Sequence, residues 1–174
     1  MVSHELRTPL TSLTGFIELI LDGAGGEVNP GMERLLHKAH TNGLRLSRLV
    51  GDLLDISRLE AGNLALELSE VSLQGLLAEL TESMAPQFAE KQLSFRLKLP
   101  EKMRAVWADR ERCAQVFSNL ITNAVRYTQQ DGSVTISGKL VGDHIEITVR
   151  DTGEGIRPEN QARIFDKFVR ISNN

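Results

Sequence analysis

Leucine and isoleucine recur at alternating spacings of four and three near the start of the chain, at Leu6, Leu10, Leu13, Ile17 and Ile20. That period puts them on one stripe of an α-helix and predicts the seam of a bundle. Residues 22–30 (Asp-Gly-Ala-Gly-Gly-Glu-Val-Asn-Pro) cannot continue the helix and read as a hairpin loop. Asn29 suits the N-cap of the next helix, with Pro30 at its first position. This second helix runs over 31–60, where Leu35, Ala39, Asn42, Leu46, Leu49, Leu53 and Ile56 repeat the same spacing. Asn42 either selects the register of the seam or lies at its edge. Two helices with long apolar seams bury them poorly as an isolated pair. The pattern therefore predicts that two copies join in a four-helix bundle, a homodimer.

The period then changes. Residues 59–66, with Gly62 and Asn63, read as the exit from the helices, giving a hairpin domain over 1–61, a linker over 62–67 and a second domain over 68–174. Strands are predicted near 66–71, 93–99 and 105–107, with a helix over 73–90 and Pro100 marking a turn. Asp109 caps a helix over 110–127, whose buried face is read as Val116, Phe117, Leu120 and Ala124. Asp131-Gly132 turns the chain into two strands, 134–141 and 144–150, around a Gly142-Asp143 turn. The fold class is α+β: an antiparallel helical hairpin, then a two-layer α/β sandwich.

Composition narrows the function. The chain has 174 residues, 41% of them hydrophobic, enough for one medium domain or two small ones. A net charge of −3 and a pI near 5.8 argue against nucleic-acid binding. No apolar run reaches the length of a membrane span, and no secretory leader is evident. One cysteine, Cys113, excludes an internal disulfide and fits a reducing cytoplasm, with core packing as its role.

Three stretches can carry chemistry. In Ser3-His4-Glu5-Leu6-Arg7-Thr8-Pro9-Leu10 a histidine adjoins a glutamate, about 100° from the seam centre and so toward solvent. Pro9 lacks the N–H that would bond the Glu5 carbonyl, which predicts a kinked or loosened helix beside His4; Thr8 shares the His4 face. In the 110–127 helix, Asn119 and Asn123 stand four apart with Arg126 and Tyr127 one turn on. Asparagine disfavours mid-helix positions, so this stripe is either a solvated face or a polar site, its oxygens suited to Mg²⁺ and its cation to phosphate. Third, Asp151-Thr-Gly-Glu-Gly-Ile156 follows a strand, and its glycines allow positive φ and close ligand approach. Gly23, Gly25 and Gly26 lack the lysine and Ser/Thr of a phosphate-binding P-loop. His144 has no histidine or cysteine at metal-ligand spacing and reads as an exposed residue.

These stretches together resemble, over essentially the whole chain, the catalytic core of bacterial sensor histidine kinases of two-component systems. Residues 3–10 look like the H-box, 115–128 like the N-box, 151–156 like the first glycine box, and Ile164-Phe165-Asp166-Lys167-Phe168 like the F-box. The resemblance implies that His4 is the phospho-acceptor attacking the γ-phosphate of ATP, with Glu5 orienting or deprotonating the imidazole. It implies that Asn123 holds Mg²⁺ with Asn119 assisting, that Arg126 supplies positive charge, and that Asp151 receives the adenine amino group. Tyr127, Gly153 and Gly155 are then further nucleotide-binding positions. Thr8 would position water to hydrolyse the aspartyl phosphate of a partner, a response-regulator receiver domain that otherwise takes the phosphoryl group from His4.

Two departures from the family accompany the likeness. Arg126 stands where lysine is usual, which keeps the charge and changes its geometry. The chain also reaches Asn174 before any second glycine box, so the expectation is weak ATP binding and slow autophosphorylation by these residues alone. Two alternatives stay open. A hydrolytic ATPase of the gyrase and chaperone type would need a glutamate base where Asn119 sits, and asparagine takes no proton from water. A non-catalytic dimerisation and phosphotransfer scaffold would tolerate an incomplete nucleotide domain.

Overall fold

A computed structural model of the protein describes residues 2–166, with the side chains of 8–166; the chain divides into two compact units, Met1–Ala65 and Leu66–Asn174. In the first unit, α1 (Val2–Leu21) and α2 (Pro30–Glu60) form a helical hairpin. The helical assignment of α1 runs unbroken through Pro9. Asn29 adopts an extended backbone and its side chain accepts a hydrogen bond from the Met32 N–H at 2.9 Å, the N-cap that its position predicted. The glycines of the loop act as helix stops. Gly23 takes φ +87°, its N–H reaches the Ile20 carbonyl, and the Ala24 N–H reaches that of Leu19, the paired bonds of a Schellman motif. Gly62 ends α2 the same way, at φ +66°, with Gly62 and Asn63 N–H groups on the Leu59 and Arg58 carbonyls.

On α2 the stripe that meets α1 is not the one the leucines mark. Thr14 is 7% exposed and faces Gly43, also buried, while Glu18 and His40 pair across the hairpin at 2.8 Å. The inward stripe of α2 thus passes through Leu36, His40, Gly43, Ser47 and Val50. It lies one residue from the predicted row, whose Leu35, Leu46, Leu49 and Leu53 are exposed in the single chain, as is Leu13 of α1. On α2 the more polar stripe meets α1 and the leucine row stays open, whereas on α1 the half-buried Leu10, Ile17 and Leu21 flank Thr14 on the inward side.

The close crossing at Gly43 gives a prediction. A Cβ added there would lie 2.7 Å from the Thr14 Cγ2, and the Thr14 hydroxyl is held by the Leu10 and Thr11 carbonyls at 3.0 Å each. Overpacking of this kind costs about 1–3 kcal/mol. Gly43→Ala should lower the thermal midpoint of the hairpin, measured by helical circular dichroism, and Thr14→Ala in the same chain should recover most of the loss. No recovery in the double variant would exclude the crossing as the cause.

In the second unit β1 (Leu68–Val71) pairs antiparallel with β3 (Val106–Asp109). A separate sheet has the order β2-β4-β5, formed by β2 (Ser94–Lys98), β4 (Ser133–Val141) and β5 (His144–Asp151). β2 and β4 are parallel and β4 and β5 antiparallel, with Phe95 opposite Val134 and Leu97 opposite Ile136. The β4–β5 connection is the predicted two-residue turn, with Gly142 at φ +58° in its first position. The 73–90 helix is in fact two, α3 (Leu73–Ser83) and α4 (Ala85–Glu90), which meet at Met84. Pro86 accounts for the break, because its missing N–H and its ring disallow a continuous helix through Glu82.

Helices α3, α4 and α5 (Arg110–Tyr127) cover the β2-β4-β5 sheet. Leu77, Ile121, Val134 and Ile136 are fully buried between the two layers, with Met84, Phe88, Leu93, Ala124 and Val125 around them. A second cluster, Val71, Leu73 and Leu76, extends the core toward β3, where the half-buried Cys113 packs. A short helix, α6 (Pro158–Gln161), follows β5. No helix among the described residues is long and apolar enough to cross a membrane.

Candidate nucleotide site

Helix α5 begins where sequence placed it. Asp109 caps it by accepting the Arg112 N–H on Oδ1 and the Glu67 N–H on Oδ2, each at 3.0 Å. Those backbone donors, Arg112 first, hold its carboxyl below the usual aspartate value. The same bonds tie the end of β3 to the strand-leading residue Glu67.

The buried face of α5 differs from the expected one. Phe117, Ile121, Ala124, Val125 and Thr128 face the sheet and α3, whereas Val116 is 55% exposed and Leu120 46% exposed. Val116 and Leu120 lie instead beside Asn119 and Asn123, and all four, with Tyr127 a turn on, form the outward side of the helix. The asparagines thus stand on an open stripe of mixed polar and apolar character. Arg126 is also exposed, its guanidinium carbon 5.5 Å from the Tyr127 ring centroid, a cation–π distance.

The glycine-rich stretch after β5 is brought against the end of this helix. A Cβ on Gly153 would lie 2.5 Å from the Tyr127 carbonyl oxygen, so only glycine lets the two backbones touch. The Gly153 N–H donates to the Asp151 Oδ1 at 2.8 Å, which folds the exposed Asp151 carboxylate back over the loop. Gly155 takes φ +69°, the left-handed conformation anticipated for an alternating glycine. Thr152 secures the loop to β4: its N–H reaches the Ser133 carbonyl at 3.1 Å and its Oγ1 accepts the Ser133 N–H at 2.9 Å.

Asn119, Asn123, Arg126 and Tyr127 on α5, and Asp151, Gly153 and Gly155 on the loop, therefore belong to two elements in direct backbone contact within one unit. His4 and Glu5 belong to the other unit, on α1, and their side chains lie outside the described ones; Thr8 is exposed on the same helix. Of residues 164–168, Ile164, Phe165 and Asp166 are exposed, while Lys167 and Phe168 lie outside the described residues.

Sequence reasoning passed over the supports of this site. Gly132, Thr128, Thr152 and Lys91 hold the loops together, and each reads as ordinary in one dimension. A Cβ on Gly132 would meet the Thr128 Cγ2 at 2.4 Å and the Thr152 Oγ1 at 2.9 Å. Sequence placed Gly132 in the Asp131-Gly132 turn, where Asp131 takes φ +63°, but its contacts with Thr128 and Thr152 arise only in the tertiary fold.

Residues 1–62 match the His Kinase A (phospho-acceptor) domain, and residues 108–174 match the Histidine kinase-, DNA gyrase B-, and HSP90-like ATPase family. The circadian input-output histidine kinase CikA of Synechococcus elongatus is 34% identical over 172 residues, 98% of this chain and 23% of its own length. The sensor histidine kinase RcsC of Escherichia coli K12 is 33% identical over 98% of this chain and 18% of its own. This chain thus spans less than a quarter of either relative. Among solved structures, full-length ShkA in complex with AMPPNP superposes with a TM-score of 0.78 at 30% identity, covering 97% of this chain and 36% of that one. The Acinetobacter baumannii histidine kinase AdeS gives a TM-score of 0.65 at 30% identity, over 91% of this chain and 77% of its own. With a phospho-acceptor hairpin, a nucleotide-type α/β unit and these relatives over nearly its full extent, the chain belongs to the sensor histidine kinases of two-component systems.

Proposed function

We propose that this chain uses ATP to phosphorylate His4 and passes the phosphoryl group to an aspartate of a response-regulator receiver domain. The observation that carries the reading is the seating of Gly153 on the Tyr127 carbonyl, which joins the asparagine stripe of α5 to the Asp151 loop along one border. In this reading the exposed Asp151 takes the adenine amino group, leaving Asn119, Asn123 and Arg126 for the phosphate end. The His4 Nε2 lone pair forms the new N–P bond as the bond to the bridging oxygen breaks, and ADP leaves with that electron pair. Glu5 takes the proton from the other ring nitrogen.

Mg²⁺ fits this donor set in one way. The described residues hold no group of three or more His, Cys, Asp or Glu that could bind a metal. Asn123, with Asn119 assisting, would hold the ion through an amide oxygen, since Mg²⁺ keeps several waters and takes few ligands from protein when substrate phosphates are present. Bound there, it would neutralise developing charge on the phosphates.

The exposed Leu13, Leu35, Leu46, Leu49 and Leu53 support dimerisation through the open stripe of the hairpin. Thr8, exposed one turn after His4, supports a second activity in which its hydroxyl positions water to hydrolyse the regulator's aspartyl phosphate. The setting is the cytoplasm, where ATP is available. Asn119 sets the reading apart from a hydrolytic ATPase, since an amide cannot activate water as a base.

The test is incubation of the intact protein with γ-labelled ATP. The expected result is an acid-labile, base-stable label that His4→Gln abolishes, on a particle of twice the chain mass. Label that survives in His4→Gln, or phosphate release with no labelled protein, would sink the proposal.

A further inference from the structure

The end of α5 is held by a single side chain from another part of the unit. Lys91, half-buried at the C-cap of α4, donates from Nζ to the carbonyls of Val125, Arg126 and Thr128 at 2.8, 2.9 and 2.9 Å. A lysine ammonium has three N–H groups, and here all three are used. The last four carbonyls of a helix lack partners within it. In α5 three of them accept hydrogen bonds, Ala124 from the Thr128 N–H and hydroxyl and Val125 and Arg126 from Lys91, while the Tyr127 carbonyl lies against Gly153. A cation also suits the negative end of the helix dipole.

The residues beside Lys91 hold the next stretch of the same loop. Gln92 sits at φ +55° and its side-chain oxygen accepts from the Gln130 amide, while the Ser94 N–H donates to the Gly132 carbonyl at 2.9 Å. Gly132 in turn abuts Thr152, whose hydroxyl holds Ser133. The segment from Lys91 to Ser94 therefore grips the α5–β4 loop, and the Thr152–Gly153 turn contacts the same loop and the end of α5. A shift of the α5 terminus would move Arg126 and Tyr127 with it and alter the seat of Gly153.

We propose that Lys91 is a positioning residue for nucleotide binding: it touches no ligand and sets, through the three carbonyls, where the last turn of α5 meets the Asp151 loop. The proposal rests on the nucleotide reading above. Lys91→Met keeps the length and apolar stem of the side chain and removes every donor. In the intact protein, titration with a fluorescent ATP analogue well below the unfolding midpoint should show affinity weakened about tenfold, given the strength of charge-assisted hydrogen bonds. The KM for ATP should rise by a similar factor, with kcat at saturating ATP within twofold of wild type.

A purely structural cap would lower the midpoint and leave the affinity of the folded protein unchanged, and that outcome overturns the proposal. Lys91→Arg, which keeps charge and donors, should recover part of the affinity. If Lys91→Met does not fold, Lys91→Gln, shorter and uncharged, carries the same titration, and wild-type affinity there overturns the proposal equally. Wild type that binds no nucleotide would instead refute the underlying functional reading, so the two failures are distinct.

Discussion

Gly153→Ala should weaken nucleotide binding at least tenfold while the protein remains folded at low temperature. The added Cβ would stand 2.5 Å from the Tyr127 carbonyl oxygen, 2.9 Å from its carbon and 2.8 Å from the Asp151 Oδ1. Two of these atoms are backbone at the end of α5, where Lys91 and Thr128 already fix the neighbouring carbonyls. The helix end cannot yield cheaply, so the loop must lift. Lifting breaks the bond from the Gly153 N–H to Asp151 and moves the carboxylate assigned to the adenine. Such overpacking costs about 1–3 kcal/mol in stability, and the displaced Asp151 should weaken ATP at least tenfold in the same fluorescence titration. Gly155→Ala probes the other glycine of the loop by a different cause: nothing lies within 4 Å of its Cβ, so the strain of φ +69°, about 1–2 kcal/mol, acts there without a clash against α5. Equal affinity in Gly153→Ala and wild type would mean that the contact with α5 does not govern the loop.

What the sequence made legible, and what it hid, follows from the range of the forces involved. Caps and turns are local, so Asn29, Asp109 and Gly142 could be read from neighbours a few residues away, and each does what its type favours. The two motifs of the proposed nucleotide site were also visible, because asparagines mid-helix and alternating glycines after a strand are both locally costly choices that call for a reason. The glycine that joins them was visible as a glycine; that its partner is the Tyr127 carbonyl depends on a contact between residues 26 apart in sequence. Lys91 was hidden for the same reason. A lysine near the end of a helix is the commonest of surface residues, and only the tertiary fold brings α5's last turn above it.

The hairpin shows a different limit of sequence reading. Periodicity marks the most apolar stripe of a helix, and that stripe was assigned to the seam of a bundle of two copies, which left open which residues close the hairpin itself. Here the closest crossing of the hairpin is made by Thr14, Gly43 and the Glu18–His40 pair, with Leu10, Ile17, Leu36 and Val50 half-buried along it. The strongly apolar row is left for a different surface. A pattern can identify which side chains seek burial and still be silent on which neighbour buries them.

The same ambiguity on α5 gives the prediction with the largest effect on stability, because Leu120 and Ile121 are adjacent and similar in size but opposite in fate. Ile121 is fully buried among Leu77, Ala124, Val134 and Ile136, while Leu120 is 46% exposed beside the asparagines. Truncating Ile121 to alanine leaves a cavity between helix and sheet that close packing cannot fill, costing about 2–5 kcal/mol. Leu120→Ala removes as many carbons from an open surface and should change stability by about 0.5 kcal/mol or less. Hydrogen exchange of the β4 and β5 amides in increasing urea follows the unfolding of the second unit apart from the hairpin. Ile121→Ala should shift that transition well below wild type with little change in slope, and Leu120→Ala should superpose on wild type. The reverse ranking would mean that α5 is rotated by about 100°. Asn119 and Asn123 would then turn with it, away from the border they share with the Asp151 loop, and the nucleotide site would lose its geometric basis.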